Sequence, residues 1–229
     1  MYEPGEIISY REMCDAEGAS LQRGMNFRHH GSESVILMSL RPNAPYRDRI
    51  EDAGRILMYE GHDVSKTAEK DPKTIDQPMR TPNGRLTQNG LFWEAAQNYG
   101  TNGASAEIVR VYEKIRTGIW VFNGTFRLIG ARFEQSGPRK VFEFRLEVSA
   151  SAGKEPAGIV ALEHERFIPS HVKIAVWKRD KGRCVKCGSN DNLHFDHVIP
   201  FSLGGSSIIE ENIQLMCARH NLQKRDRLE

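Results

Sequence analysis

Two short spacings near the end of the chain place soft metal ligands in close pairs, Cys184-x-x-Cys187 and Cys217-x-x-His220. Each pair can sit on a tight turn that aims two side chains at one point, and two such pairs make a tetrahedral zinc site. With all four positions filled by protein, no place remains for water, so this zinc is structural. A different chemistry lies between the pairs, in Leu193-His194-Phe195-Asp196-His197-Val198-Ile199-Pro200, Gly204-Gly205 and Asn212-Ile213-Gln214-Leu215-Met216-Cys217. A metal-assisted hydrolytic site needs an activated water, a base and a cation on the developing charge. His197 is the candidate base, because an unperturbed imidazole titrates near neutrality. Asp196 offers a hard oxygen to Mg2+ or Mn2+. His194 reads as a strand residue near the site rather than a ligand.

The segment 166–225 resembles the HNH, or ββα-metal, nuclease family through Asp196-His197, Asn212 and Asn221. The resemblance implies that Asn221 is the second ligand of the catalytic metal, at a position where the family often has His. It also implies that Asn212 braces the loop and orients the base. His220 stands where the family often has a fourth zinc cysteine, which assigns His220 to zinc. The competing assignment puts His220 on the catalytic metal and leaves zinc with three cysteines. The basic tail Lys224-Arg225-Asp226-Arg227 reads either as a solvated helix end or as a phosphate contact beside the cut.

Elements must hold these residues in place. Ser170 reads as the N-cap of a short helix that carries Val172, Ala175, Val176 and Arg179 and stops before Gly182. Upstream, Ser149-Ala150-Ser151-Ala152-Gly153-Lys154-Glu155-Pro156-Ala157-Gly158 is small, polar and Pro/Gly-punctuated, as a linker would be. The division is therefore residues 1–150, a linker at 151–160 and a nuclease segment at 161–229. The first block is mostly β: 35–38, 56–59, 120–122, 126–129 and 141–146 are apolar or alternating runs. Asn123-Gly124 between two of them signals a hairpin. One helix is expected after Thr87 or Asn89, where Phe92, Ala95, Ala96 and Tyr99 recur at helical spacing. Trp93, Trp120 and Trp177 read as core, Cys14 as a small buried hydrophobe, and His29, His30, His62 and His164 as loop or surface residues.

The first block, over residues 4–148, resembles SRA domains, the PUA-like β-barrels that read modified cytosine in DNA. The matching residues are Gly5, Arg11 and Glu12, then Ser34-Val35-Ile36-Leu37-Met38-Ser39, Tyr46-Arg47-Asp48, Asp52-Ala53-Gly54 and Tyr59-Glu60-Gly61. Asp76-Gln77, Asn89, Val109-Arg110-Val111 and Phe122-Asn123-Gly124 follow. The sequence departs from the family at Asn43-Ala44-Pro45, where Gly-Gly is usual, and at Glu60, where threonine is usual. The resemblance implies an α+β protein: an SRA-like barrel with flanking helices, followed by a small zinc-braced HNH domain. It implies that one base is rotated out of the duplex and held by stacking. Tyr46 and Tyr59 are the expected stacking pair. Asp48 is the expected acceptor for the exocyclic amine, with Asp52 and Glu60 behind it. Arg23, Arg28, Arg41, Arg47, Arg49 and Arg55 are dense around this region. Arg47, Arg49, Lys224 and Arg225 are the expected contacts to the DNA backbone.

Composition agrees with a folded chain: 39% of residues are hydrophobic, and the net charge of +2 neither demands nor forbids a nucleic-acid partner. No apolar run approaches the ~20 residues that span a bilayer. Met1-Tyr2-Glu3-Pro4 lacks the basic and apolar stretches of an export signal, so a bacterial or archaeal cytoplasmic protein is expected. The resulting expectation is a modification-dependent restriction endonuclease acting on double-stranded DNA that carries 5-methylcytosine or 5-hydroxymethylcytosine. It would cut at an offset set by the linker, as a homodimer for double-strand breaks. The rivals are a non-catalytic reader of modified DNA and an HNH nuclease or nickase with specificity for unmodified DNA.

Overall fold

The computed structural model describes residues 2–29, 33–66, 71–102, 104–149, 167–200 and 203–224. The linker expected at 151–160, the start of the nuclease segment at 161–166 and Arg225 lie outside the described residues. The protein is α+β. Its large sheet contains β1 (Ile7–Ser9), β2 (Met25–Asn26), β3 (Ser34–Met38), β4 (Arg49–Glu51), β5 (Ile56–Glu60), β6 (Glu107–Arg116), β7 (Ile119–Ser136) and β8 (Arg139–Val148). The order is β2-β3-β6-β7-β8-β5-β4, with β1 added along β7. Among the described residues β3 and β6 pair in parallel and the other pairs of this sheet are antiparallel. Two helices flank the sheet, α1 (Tyr10–Glu17) and α2 (Gln88–Asn102). Among the described residues no helix is long and apolar enough to cross a membrane.

Local sequence accounts for much of this. Ser9 and Glu12 cap α1 reciprocally: Ser9 Oγ accepts from the Glu12 N–H and the Glu12 carboxylate accepts from the Ser9 N–H. Asn123-Gly124 does not form the expected hairpin. Both residues lie within β7, where Val111 pairs with Gly124 and Tyr112 with Phe122, leaving Asn123 as the extra residue of a β-bulge. Gly124 has φ +99°, a backbone state that glycine accepts without penalty, so the same residue type that closes hairpins here bends a long strand.

Met25, Ile36, Leu57, Tyr59, Phe92, Val111, Phe126 and Phe144 share one core, so strands from both ends of the sheet order and α2 bury the same interior. The sheet is rolled up: a Cβ built on Gly24, next to β2, would lie 2.6 Å from Tyr59 Oη of β5. No ladder joins β2 to β4 among the described residues, so the barrel is curled rather than hydrogen-bonded shut. Trp120 is buried, while Trp93 and Trp177 pack on the core from partly buried positions. Cys14 is half-buried against a third cluster beneath α1.

Residues 167–224 form α3 (Ser170–Arg179), the hairpin of β9 (Leu193–His197) and β10 (Ile213–Cys217), and α4 (Ala218–Lys224). The N-cap of α3 is Pro169, not Ser170, whose buried hydroxyl finds no partner among the described residues. This unit packs directly on the barrel. Ile115 and Val121 share a core with Ile168, Val172, Val176, Leu193, Phe195, Ile213 and Leu215. The N-terminal segment ties the two together, since the Gly5 N–H donates to the Phe122 carbonyl while the Gly5 carbonyl accepts from the Phe195 N–H.

A buried charge sits at this junction. Lys173 of α3 is 3% exposed, and its ammonium donates to Glu113 Oε2 at 2.8 Å and Asn123 Oδ1 at 2.7 Å. Asn123 Nδ2 also donates to Glu113 Oε2. Lys173→Met strands the Glu113 carboxylate in the interior and is expected to cost about 3–5 kcal/mol in urea unfolding. Adding Glu113→Gln removes the stranded charge and should recover part of that loss. Equal stability of the single variant and the wild type would show that the pair does not hold the junction.

Candidate functional sites

Sulfur and nitrogen atoms of Cys184, Cys187, Cys217 and His220 all lie within 4.8 Å of one another. The Cys187–Cys217 Sγ separation is 3.9 Å, and His220 Nδ1 stands 3.5 Å from Cys184 Sγ and 3.2 Å from Cys217 Sγ. A tetrahedron with Zn–S of ~2.3 Å and Zn–N of ~2.1 Å has edges of roughly 3.5–3.8 Å, so the four groups fit this ion. Cys184 lies on the turn after α3, Cys217 ends β10 and His220 lies in the first turn of α4. Burial pushes the Cys184 thiol up, but N–H groups of Cys217, Cys187 and Lys186, with His220, outweigh it and bring it down to about 6. A thiolate is the form that ligates metal.

The β9–β10 hairpin presents the next set. Asp196 pairs across the ladder with Gln214, whose Nε2 donates to Asp196 Oδ2 at 3.2 Å. Lys224 Nζ donates to the same oxygen at 2.6 Å and also to the His197 carbonyl. Among the described residues, Asp196 Oδ1 takes no hydrogen bond. His197 Nε2 is 2.9 Å from Ser207 Oγ, and Ser207 is buried. Asn212 clamps the loop between the strands: its Oδ1 accepts from the Ile199 N–H, and its Nδ2 donates to the carbonyls of Ile199 and Ser206. That loop closes so tightly that a Cβ on Gly205 would lie 1.8 Å from the Ile199 carbonyl oxygen, so only glycine fits. Asn221 lies one turn before Lys224 on α4, and residues three apart share a helix face.

Lys224 was expected on a DNA phosphate. The structure places it at 1% exposure, with its ammonium turned onto Asp196 and His197. The solvated look of a basic tail hid this, because the partner carboxylate lies 28 residues earlier. Ser207 was missed for a similar reason: a lone serine in a loop carries no signal until the fold puts it on an imidazole.

The rolled sheet leaves a cavity of about 840 Å³ whose lining includes Arg23, Gly24, Arg41, Tyr46, Asp48, Tyr59 and His62. Three expected pocket residues, Tyr46, Asp48 and Tyr59, line it; Asp52 and Glu60 do not. Asp52 has φ +53° on the turn before β5 and pairs with Arg55 at 2.7 Å, half-exposed. Glu60 is buried and accepts from Arg139 Nη2 and the Arg47 N–H, each at 2.9 Å. Arg47 is exposed beside Tyr46. Arg49 is held by Glu51 at 2.7 Å and by Glu143, so two carboxylates compete with any phosphate. Arg28 is likewise paired, with Glu107.

Asp48 accepts from the Ser39 and Glu60 N–H groups at 3.2 Å each. Burial pushes its carboxyl up to about 7 against these two donors. A carboxyl raised above its usual value of 3.8 contributes stability that is full below about pH 4 and lost as pH rises through about 7. The thermal midpoint of the wild type should therefore fall relative to that of Asp48→Asn between pH 5 and pH 8. A gap that does not change with pH would contradict the raised carboxyl.

No curated protein matches the chain. Among solved structures it is similar to the SRA domain of SUVH5 bound to fully hydroxymethylated CG DNA, with 22% identity over 67% of this chain and 93% of that one and a TM-score of 0.46. It is similar over 99% of its own length, and 57% of the other's, to the Type IV phosphorothioation-dependent restriction endonuclease ScoMcrA, with 17% identity and a TM-score of 0.43. Arabidopsis thaliana SUVH6 in complex with SAM covers 71% of this chain, which in turn covers 28% of that one, at 19% identity and a TM-score of 0.43. Residues 184–227, which carry Cys184, Cys187, Asp196, His197, Asn212, Cys217, His220 and Asn221, match the family model for HNH endonucleases.

Proposed function

We propose that the protein is a metal-dependent DNA endonuclease whose N-terminal barrel directs it to modified cytosine. The observation that carries this reading is a hairpin presenting Asp196 and His197 within the segment that matches HNH endonucleases, braced by three cysteines and a histidine. Ser207 Oγ, 2.9 Å from His197 Nε2, orients the imidazole that would take the proton from the attacking water. Asn212 fixes the loop from which His197 acts. Asp196 and Asn221 offer the hard oxygens that would hold Mg2+ or Mn2+. Such an ion supplies charge neutralisation at the phosphate. Lys224 shares the Asp196 carboxylate and keeps it oriented.

Support for modification dependence comes from the SRA-like motifs and from the cavity that holds Tyr46 and Asp48. A base rotated out of the duplex would enter it, and the exocyclic amine of cytosine would find Asp48. One such site cuts one strand, so a double-strand break takes two copies of the chain. The test incubates the protein and Mg2+ or Mn2+ with matched methylated, hydroxymethylated and unmodified plasmids. Cutting confined to a modified plasmid is expected. Equal cutting of all three would remove the modification reading and leave a nuclease or nickase. Modification-dependent binding without cutting would leave a reader.

A further inference from the structure

Tyr46 and Tyr59 differ sharply in what they can offer a base. Tyr59 is 1% exposed, its ring is part of the barrel core, and its hydroxyl lies 3.3 Å from His62 Nε2. At that exposure the ring has no face open to an incoming base. Tyr46 is half-buried, on the irregular segment between β3 and β4. Its near-parallel neighbour is His62, with centroids 5.7 Å apart and planes at 24°. Tyr59 is inclined at 52° to His62.

We propose that His62, rather than Tyr59, is the second aromatic platform of the pocket, so that a flipped base inserts between Tyr46 and His62. This deepens the modified-base reading and rests on it. Two stacking distances of ~3.4 Å require ring planes roughly 6.8 Å apart, so a pair whose centroids are 5.7 Å apart must open by at least about 1 Å. The ring that would shift is Tyr46, on the irregular segment between β3 and β4. His62 is fixed, since its N–H donates to Asn89 Oδ1 at 2.8 Å and its carbonyl accepts from Asn89 Nδ2 at 2.9 Å. Its ring is wedged against the backbone: a Cβ on Gly24 would lie 2.8 Å from His62 Nε2. Burial pushes the imidazole down to about 4, which leaves a neutral flat ring at physiological pH. Lys73 Nζ, 4.4 Å from the centroid of Tyr46, adds a cation to that ring and steadies it while the slot is empty.

The test measures binding, without added Mg2+ or Mn2+, to a duplex carrying one 5-methylcytosine and to its unmodified match. His62→Ala should weaken binding to the methylated duplex by about 5- to 150-fold, the range for one lost base stack. His62→Phe keeps a ring face and should stay within about threefold of the wild type. Tyr59→Phe, which removes only a hydroxyl, should do the same. Thermal melts establish that each variant is folded, and His62→Leu, which keeps bulk but has no ring face, replaces His62→Ala with the same expected loss if that variant is not folded. Full affinity in His62→Ala overturns the platform, as does an equal loss in His62→Phe, which would mean that the ring nitrogen acts instead of the face. A wild type that binds both duplexes equally removes the modified-base reading itself and the platform with it.

Discussion

His197→Ala is expected to lower the rate of strand cleavage by about 10²–10⁴-fold, the span of a lost general base, while DNA affinity stays at the wild-type level. The loss should be large because, among the described residues, neither neighbouring histidine of the segment is placed to take over. His194 stands three residues back along β9, about 10 Å away at the rise of a strand, and pairs with Met216 toward the zinc end. His220 has its Nδ1 turned into the cysteine cluster. Ser207→Ala provides a graded companion: it leaves the base present but frees its tautomer and orientation, so its effect should be smaller than that of His197→Ala. Single-turnover nicking of supercoiled plasmid measures both. Cleavage by His197→Ala within a few-fold of wild type would remove the base assignment, and a Ser207→Ala loss equal to that of His197→Ala would make Ser207 a partner in the chemistry.

The nuclease segment was legible because its determinants are local. Cys184-x-x-Cys187, Cys217-x-x-His220 and Asp196-His197 are set by turns and one hairpin, so spacing alone brings the ligands together. The barrel pocket was legible only in part. Tyr46 and Asp48 reach the cavity as the motifs imply, but the side chain that lies against Tyr46 is His62, which in sequence looks like an unremarkable loop residue. Its position depends on Asn89, 27 residues later, holding its backbone from both sides. Tyr59 illustrates the converse: its motif position suggests a platform, whereas the apolar run Ile56-Leu57-Met58 around it drives the strand into the core. No helix was expected over Tyr10–Glu17, although the Ser9-x-x-Glu12 spacing that caps it is a local signal. The junction was not legible, because a small polar segment at 149–158 says nothing about whether the units on either side of it touch. Lys173, Glu113 and Asn123 show that they do. On the proposed reading, a packed junction of that kind ties the cut offset to how α3 seats on β6 and β7.

Loss of a residue from the Cys184, Cys187, Cys217 and His220 cluster should have the other large effect. Between them, residues 167–224 bury one face of α3 and a two-stranded hairpin, too little to fold firmly without the barrel and a metal. Binding of a structural zinc contributes about 10–16 kcal/mol in small domains at pH 7, and that free energy is folding free energy. Cys217→Ser is therefore expected to lose its zinc and to unfold the segment from Cys184 to α4, abolishing cleavage while the barrel still melts cooperatively. Metal analysis should find one zinc per wild-type chain and none in the variant; a variant that retains stoichiometric zinc would mean that Cys217 is not a ligand. His220→Cys separates the two assignments open at this residue. If His220 is scaffold, a fourth thiolate in its place keeps zinc and keeps cleavage, and Asn221 remains the residue beside the catalytic ion. If instead zinc is retained but cleavage disappears, His220 belongs to the chemistry, and the 3.2 Å and 3.5 Å approaches of its Nδ1 to Cys217 and Cys184 would not describe the working site.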